Sequence, residues 1–390
     1  MIHPDEALKM LTSFDRRCAT EEVPLLEALG RVLAEPVHSP IDSPPFAKAA
    51  MDGYAVNSAD RSQRWRIIET IDAGHTPAKA VGTGQCSKIM TGAMIPPGAD
   101  KVVRLEFVEE REAEVRLIEP EPNRNVIEQA EDLRSGQLVI DRKIVLPQDI
   151  GTLAAAGIKQ VRVAIAPTVG IITTGSELRE PGEPLGHGEI YNSNGVQLCA
   201  QVAWLHCGQV NYGTVMDDPR VLKEAIERAI HETEVVLLSG GVSVGESDFV
   251  PTTLVACGAK IHFHGLAIKP GRPTLFAQRD ETFVFGLPGN PVSTFVIFEL
   301  FVKPLLLRLM GITHVPESKK AKLSQEVRRK RSSRVEYRPV EIVGGEAHPL
   351  AYYGSSHLNV LGRADGLIRL EKGVATLEAG SEVDVRQIRS

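Results

Sequence analysis

The chain has 390 residues, 43% hydrophobic and 24% charged, with 44 Lys plus Arg against 50 Asp plus Glu for a formal charge of −6. That length fits about two to four domains, and a mean hydropathy of −0.07 excludes a disordered or wholly membrane-embedded chain. The near-balanced charge advertises neither nucleic acid nor an anionic membrane as partner, so any anionic ligand has to be held by local donors.

Five cysteines, Cys18, Cys86, Cys199, Cys207 and Cys257, are widely spaced and contain no C-x-x-C, so neither a disulfide framework nor a zinc site is expected. The opening MIHPDEALKM lacks the basic start and apolar run of a signal peptide, and no stretch approaches about 18 uninterrupted apolar residues. A cytoplasmic protein is the expectation.

In chain order, Pro4, Asp5 and Glu6 before Leu8 and Leu11 open a helix with a first-turn proline and acidic residues. Leu25, Leu29 and Val32 form a second apolar stripe and predict a second helix. SPIDSPP (39–45) breaks any helix, and the short runs RWRIIETI, KIMTGAMIPPGADKVVRLEFV and EVRLIE then read as a small all-β unit ending near residue 132. Mixed strand and helix return up to residue 166, so the β unit is read as an insertion whose flanks form one domain.

After Pro167, TVGIITTG, EVVLLSGG and TFVFGLPGN are each an apolar strand running into a glycine-containing loop, with helical segments between them. This alternation predicts a doubly wound, mostly parallel α/β sheet. Asn192 or Asn194 caps one helix, running through Val202, and Asp218 with Pro219 opens another. A last helix from about Pro291 to Met310 closes the domain at Gly311. The basic stretch Lys319 to Arg331 has no interleaved aromatics and reads as a solvated linker turning into an edge strand, where lysines block aggregation. Four parts result: 1–45 with 133–166, helical and mixed; 46–132, inserted β; 167–315, α/β; and 316–390, β-rich.

Ligands of open α/β sheets bind beyond the carboxyl ends of the strands, where TTGSEL (173–178), SGGVSVGESD (239–248), KPGRP (269–273) and GLPGNP (286–291) must gather. Ser239, Gly240, Gly241, Ser243 and Gly245 offer backbone N–H groups and hydroxyls to a phosphate, and Lys269 and Arg272 add positive charge. Glu177, Asp217 and Asp248 share that edge, and carboxylates beside a phosphate call for a bridging cation, Mg²⁺ being the reasonable one. In the β unit, Asp52, Gly53, Thr91 and Gly92 of MDGYA and MTGA serve either as turn chemistry or as a wall of the site. The residues alone thus predict a multidomain protein with a phosphate-bearing ligand.

AMDGYAV (50–56), KIMTGA (88–93), PPGAD (96–100), TTGSEL, IYNSN (190–194), LSGGVSVGESD (238–248), KPGRP, GLPGNPVS (286–293) and ADGLIRL (364–370) together resemble the molybdopterin molybdenumtransferase (MoeA) family, which includes the enzymatic domain of gephyrin. The resemblance runs over nearly the whole chain. It implies a homodimer joined through the N-terminal part, a molybdopterin-binding α/β domain and a C-terminal β-barrel-like domain. The implied reaction takes adenylylated molybdopterin and molybdate with Mg²⁺, inserts the metal at the dithiolene, and releases AMP and molybdenum cofactor.

By position, Asp52, Asp132, Glu177, Asp217, Asp248 and Lys269 match the family's catalytic residues, with Asp248 and Glu177 at the Mg²⁺. Thr91, Gly92, Thr174, Gly175, the Ser239–Gly245 donors, Pro288, Gly289 and Asn290 match pterin and phosphate contacts, and Lys269, Arg272, Pro273, Arg338 and Ser356 match an oxyanion-contacting set. A molybdopterin adenylyltransferase is the implied upstream partner. Ala47, Lys48, Ala49 and Ala130 stand where family members carry Asp, Asn, Ser and Gly. A tungstate-inserting paralogue and a non-catalytic pterin-binding scaffold stay open as alternatives.

Overall fold

The structure is a computed structural model that describes residues 1–15, 17–242, 249–351, 354 and 356–388. Two compact units emerge, one of residues 1–21, 30–34 and 164–390, the other of residues 22–29 and 35–163.

In the first unit, Val235–Ser239 and Thr282–Leu287 are buried along their whole length and Thr168–Thr174 nearly so. Continuous burial of this kind marks strands covered on both faces. The three run parallel, Gly208–Val215 joins in parallel on one side, and the antiparallel strands Leu275–Arg279 and Lys260–His264 complete a six-stranded sheet on the other. Helices Pro219–Glu232 and Val250–Ala256 pack together over Ile172, Val236, Leu238 and Val284. Because side chains alternate along a strand, the opposite face is left for Ser193–Trp204 and Pro291–Ile297, which pack with each other. The doubly wound, mostly parallel expectation is met.

Asn192, not Asn194, caps the helix Ser193–Trp204, its side chain accepting from Gly195 N at 3.0 Å. Asp218 caps Pro219–Glu232 as read, accepting from the N–H groups of Arg220 and Val221. The segment after Asn290 is helical throughout but not uniformly so: α-helix Pro291–Ile297, a π-helical turn Phe298–Val302, then α-helix Lys303–Leu309, nearly all of it buried. At the N-terminus Pro4–Thr12 is helical with Pro and acidic residues in its first turn, and Arg369 holds Asp5 through two 2.8 Å bonds. The second predicted helix is corrected. Thr20–Pro24 is a strand and only Leu25–Ala28 turns, as a 3₁₀ segment. Gly30, at φ +76°, takes a left-handed conformation that no helix continues through.

Beyond residue 315, five strands close on themselves in the order Val335–Val343, Glu346–Pro349, Ser318–Leu323, Glu382–Gln387, Gly366–Leu370 and back to Val335–Val343. Val340, Ala347, Ile368, Leu370 and Val385 fill the interior, which gives the barrel-like C-terminal part. Ser318–Leu323 is not the edge strand expected of the basic stretch, because it is paired on both sides; Lys320 and Lys322 occupy the outward positions that alternate with buried Ala321 and Leu323, and Lys319 is exposed near the strand's start. From the α/β side, Ile268–Lys269 pairs in parallel with Val335 and Glu336.

In the second unit, six short strands form one sheet in the order Lys101–Arg104, Gly53–Val56, Gln85–Ile89, Arg64–Ile71, Glu114–Leu117 and Val108–Arg111. Its two faces carry separate cores, Ala55, Ile71 and Ile89 on one and Tyr54, Trp65 and Cys86 on the other. Gly53 belongs to a strand and not to a turn. A side chain there would stand 2.1 Å from Val103 O, so only glycine permits the close pairing.

Candidate functional site

A cleft of about 630 Å³ opens at the carboxyl ends of the parallel strands, and all four predicted loops reach it. Thr174, Gly175 and Glu177 come from the first loop, Ser239, Gly240 and Gly241 from the second, Pro273 from the third, and Gly289 and Asn290 from the fourth. Asp217 and Ser356 complete the predicted residues that line it.

Local chemistry fixes these positions. Gly240 and Gly241 adopt φ +103° and +61°, and a Cβ on Gly240 would lie 2.5 Å from Thr174 O. The second loop can therefore fold against the first only as glycine. Ser239, buried, accepts from Asn194 Nδ2 at 2.9 Å and donates to Pro288 O at 3.4 Å, while Thr294 Oγ1 donates to the same carbonyl at 2.5 Å. Pro288 thus shapes its loop through its backbone and is not itself a lining residue. Glu177 curls over Gly175, where any side chain would meet its carboxylate oxygens at 2.7 and 2.9 Å.

Asn192, Ser193 and Asn194 also line the cleft, although the sequence pattern offers Asn192 or Asn194 only as the cap of one helix. Asn192 is a hub. While its oxygen caps the helix, its Nδ2 donates to Thr173 Oγ1 at 2.9 Å, Glu180 Oε1 at 2.9 Å and Thr214 Oγ1 at 3.1 Å. The available signal was the run IYNSN, since two amides around a serine exceed what one cap requires.

Among the described residues no Lys or Arg lines the cleft; its charge is the pair Glu177 and Asp217, set among hydroxyls, amides and backbone. Lys269, Arg272 and Arg338 lie outside the lining. The reason is strand pairing, since Lys269 sits in register with Glu336 and its Nζ is 3.3 Å from that carboxylate, while Arg338 Nε is 2.9 Å from the same oxygen. Arg272 is exposed. Ser356 ties the C-terminal part to the cleft by donating to Asn290 Oδ1 at 3.5 Å.

Asp52, Thr91, Gly92 and Asp132 belong to the second unit. Asp52 accepts from Thr91 N at 2.6 Å and Thr91 Oγ1 at 2.7 Å, and these two bonds, the backbone one first, lower its carboxyl below the ordinary aspartate range. Gly92 supplies the φ +83° of the same turn, so these three residues build one turn. Asp132 is exposed, its N–H donating to Ser43 O at 3.0 Å. Tyr54 of MDGYA is buried, with its hydroxyl on Glu110; burial, then that bond, raises its pKa. Ser243, Gly245 and Asp248 lie outside the described residues.

Glu177 and Asp217 present only oxygen donors, the chemistry a hard divalent cation accepts. No group of three His, Cys, Asp or Glu among the described residues is placed to hold a metal. The five cysteines form no disulfide, and none lines the cleft. No helix among the described residues is long and apolar enough to cross a membrane.

Family models match in chain order: the MoeA N-terminal region (domains I and II) over residues 2–157, a probable molybdopterin binding domain over 170–308, and the MoeA C-terminal region (domain IV) over 320–388. The chain is 37% identical over 308 residues to a molybdopterin molybdenumtransferase of Haemophilus influenzae, covering 78% of this chain and 76% of that one. It is 31% identical over 393 residues to the protein of the same name from Staphylococcus aureus (strain Mu50), covering 97% and 94%. Its fold is similar to the crystal structure of the molybdopterin biosynthesis moeA protein from Pyrococcus horikoshii OT3, with a TM-score of 0.87 at 33% identity over 100% of both chains.

Proposed function

The chain belongs to the MoeA family of molybdenum cofactor biosynthesis, and from that membership we propose that it transfers molybdenum from molybdate to adenylylated molybdopterin and releases AMP. The observation that carries the reading is the cleft, where all four loops of the family's sequence pattern converge on a hydrogen-bonding wall of hydroxyls, amides and backbone that carries two carboxylates.

Such a wall suits a pterin. Glu177 and Asp217 accept from N–H donors, hydroxyls and amides serve both roles, and the glycines at 240 and 241 let ligand phosphate approach the backbone closely. Glu177 and Asp217, with Asp248, would hold Mg²⁺, which when bound neutralises phosphoryl oxygens that these carboxylates otherwise repel. Lys269 and Arg338, paired on Glu336, supply the convergent cationic donors that a tetrahedral dianion such as molybdate takes. Catalysis then rests on positioning and charge neutralisation. A covalent thiol intermediate has no residue to form on, since no cysteine lines the cleft and burial pushes the Cys207 thiol up to about 12. The reading extends to a cytoplasmic homodimer supplied by a molybdopterin adenylyltransferase.

The test is to incubate purified protein with adenylylated molybdopterin and Mg²⁺, with molybdate or tungstate, and to follow AMP release and metal on the pterin. Molybdate-dependent AMP release is expected. Tight pterin binding with no AMP release under either oxyanion would replace the transferase by a scaffold.

A further inference from the structure

Glu336 lies in the strand Val335–Val343 with its side chain only 2% exposed, yet three cations converge on it: Arg338 Nε at 2.9 Å and Lys269 Nζ at 3.3 Å on Oε1, and Arg329 Nη1 at 3.7 Å on Oε2. These three differ in kind. Arg329 is as buried as Glu336, and its guanidinium also donates to Arg334 O at 2.8 Å, Val374 O at 2.6 Å and Glu371 O. It is the internal counter-ion that lets a lone carboxylate be buried at all. Lys269 and Arg338 are 48% and 23% exposed and have no other ion pair among the described residues. With Glu336 already balanced by Arg329, their two charges are surplus, held side by side on one oxygen and open to solvent.

Backbone geometry makes this arrangement stiff. Glu336 and Arg338 are two apart on one strand and so share a face, and parallel pairing sets Lys269 beside Glu336 from a separate loop. Without the carboxylate, two like charges at such a distance would repel and take separate rotamers.

We propose that Glu336 is a positioning residue for oxyanion capture: it pins Lys269 and Arg338 as one preorganised dicationic grip for a tetrahedral dianion without touching that dianion. The proposal rests on the transferase reading above. Glu336 contributes negative charge yet strengthens anion binding, because fixed donors outweigh the field it subtracts.

Glu336→Gln and Glu336→Asp in the full chain test it, with molybdate titrated calorimetrically and adenylylated molybdopterin titrated separately, each beside turnover. E336Q is expected to weaken molybdate binding by about 10–100-fold, as loss of an outer-shell partner does in metal sites. Pterin affinity should stay within about twofold, and E336D, charged but shorter, should fall between E336Q and the wild type. A merely structural role would weaken both ligands together as Tm falls, and that result overturns the proposal. So does unchanged or tighter molybdate binding, the outcome expected from added positive charge alone. Should E336Q fail to fold, E336D carries the test, and wild-type molybdate affinity in it is equally fatal. If the wild type binds molybdate but releases no AMP, the transferase reading fails while the calorimetric comparison still decides the role of Glu336. If the wild type turns over and E336Q matches it at limiting molybdate, only the Glu336 proposal fails.

Discussion

Gly240→Ala probes the joint between the first two cleft loops, and Gly182→Ala is its natural control. Both glycines have nearly the same φ, +103° and +100°, but a Cβ at 240 meets Thr174 O at 2.5 Å and Thr174 Oγ1 at 2.7 Å, whereas at 182 nothing lies within 4 Å. Alanine at either position bears the strain of a disfavoured dihedral, about 1–3 kcal/mol. At 240 it also overpacks against a backbone carbonyl that cannot rotate away, about 1–3 kcal/mol more. At about 2–4 °C per kcal/mol for a domain of this size, the two variants should differ in Tm by several degrees. Only G240A should lose affinity for adenylylated molybdopterin, because relieving the contact moves the loop that lines the cleft. The assay is thermal unfolding with calorimetric pterin titration of both variants beside the wild type. Equal shifts in Tm, or wild-type pterin affinity in G240A, would refute the argument that the close approach to Thr174 shapes the site.

Asn192→Ala removes a cap and three side-chain bonds at once and should cost about 2–4 kcal/mol in urea unfolding. Asn192→Asp keeps the capping oxygen but sets a carboxylate on Glu180; it should be no more stable than N192A at neutral pH and recover as acid protonates the pair, so pH-independent stability would count against the hub. Glu121 is nearly buried; burial pushes its carboxyl up, but bonds from Arg104 and the Asn123 N–H outweigh this and hold it at about 2. With its folded pKa depressed, it contributes about 3 kcal/mol above the ordinary glutamate range, lost as pH falls from about 4.5 toward 2, so unfolding curves of the wild type and Glu121→Gln should converge across that window. Ala130 has φ +58°, and Ala130→Gly should raise stability by about 1 kcal/mol, a gain that thermal unfolding would show.

The α/β part was legible because its strands are uniformly apolar and each ends in glycine, so periodicity and punctuation point the same way. Helix starts at Pro4 and Pro219 were legible for the same reason. The stripe at Leu25, Leu29 and Val32 misled because apolar spacing carries no record of Gly30's left-handed backbone. The lysines of 318–323 suggested an edge because exposure and lack of a pairing partner leave the same polar signature in a sequence. Within the site, loop membership was readable but side-chain direction was not. Lys269 belongs to a cleft loop yet points along a strand pairing made with residues 335 and 336, a long-range contact that no local pattern encodes. Ala130 shows the converse: its departure from the family's glycine gained a physical meaning only once its φ was known.

The π-helical turn at Phe298–Val302 bears on which changes of length this chain can survive. One residue more per turn rotates everything that follows by about 100°, and the helical turns on both sides of it are buried nearly all round, Val292 and Val296 before it and Leu305 and Leu309 after it included. Deleting one residue from 298–302 would let the turn relax to an α-helix while rotating every side chain of Lys303–Leu309 by about 100° out of the space now shaped for it. Exchanging one apolar residue for another there would leave the phase intact. Lineages descended from this sequence should therefore vary in residue identity across the segment and be nearly invariant in its count.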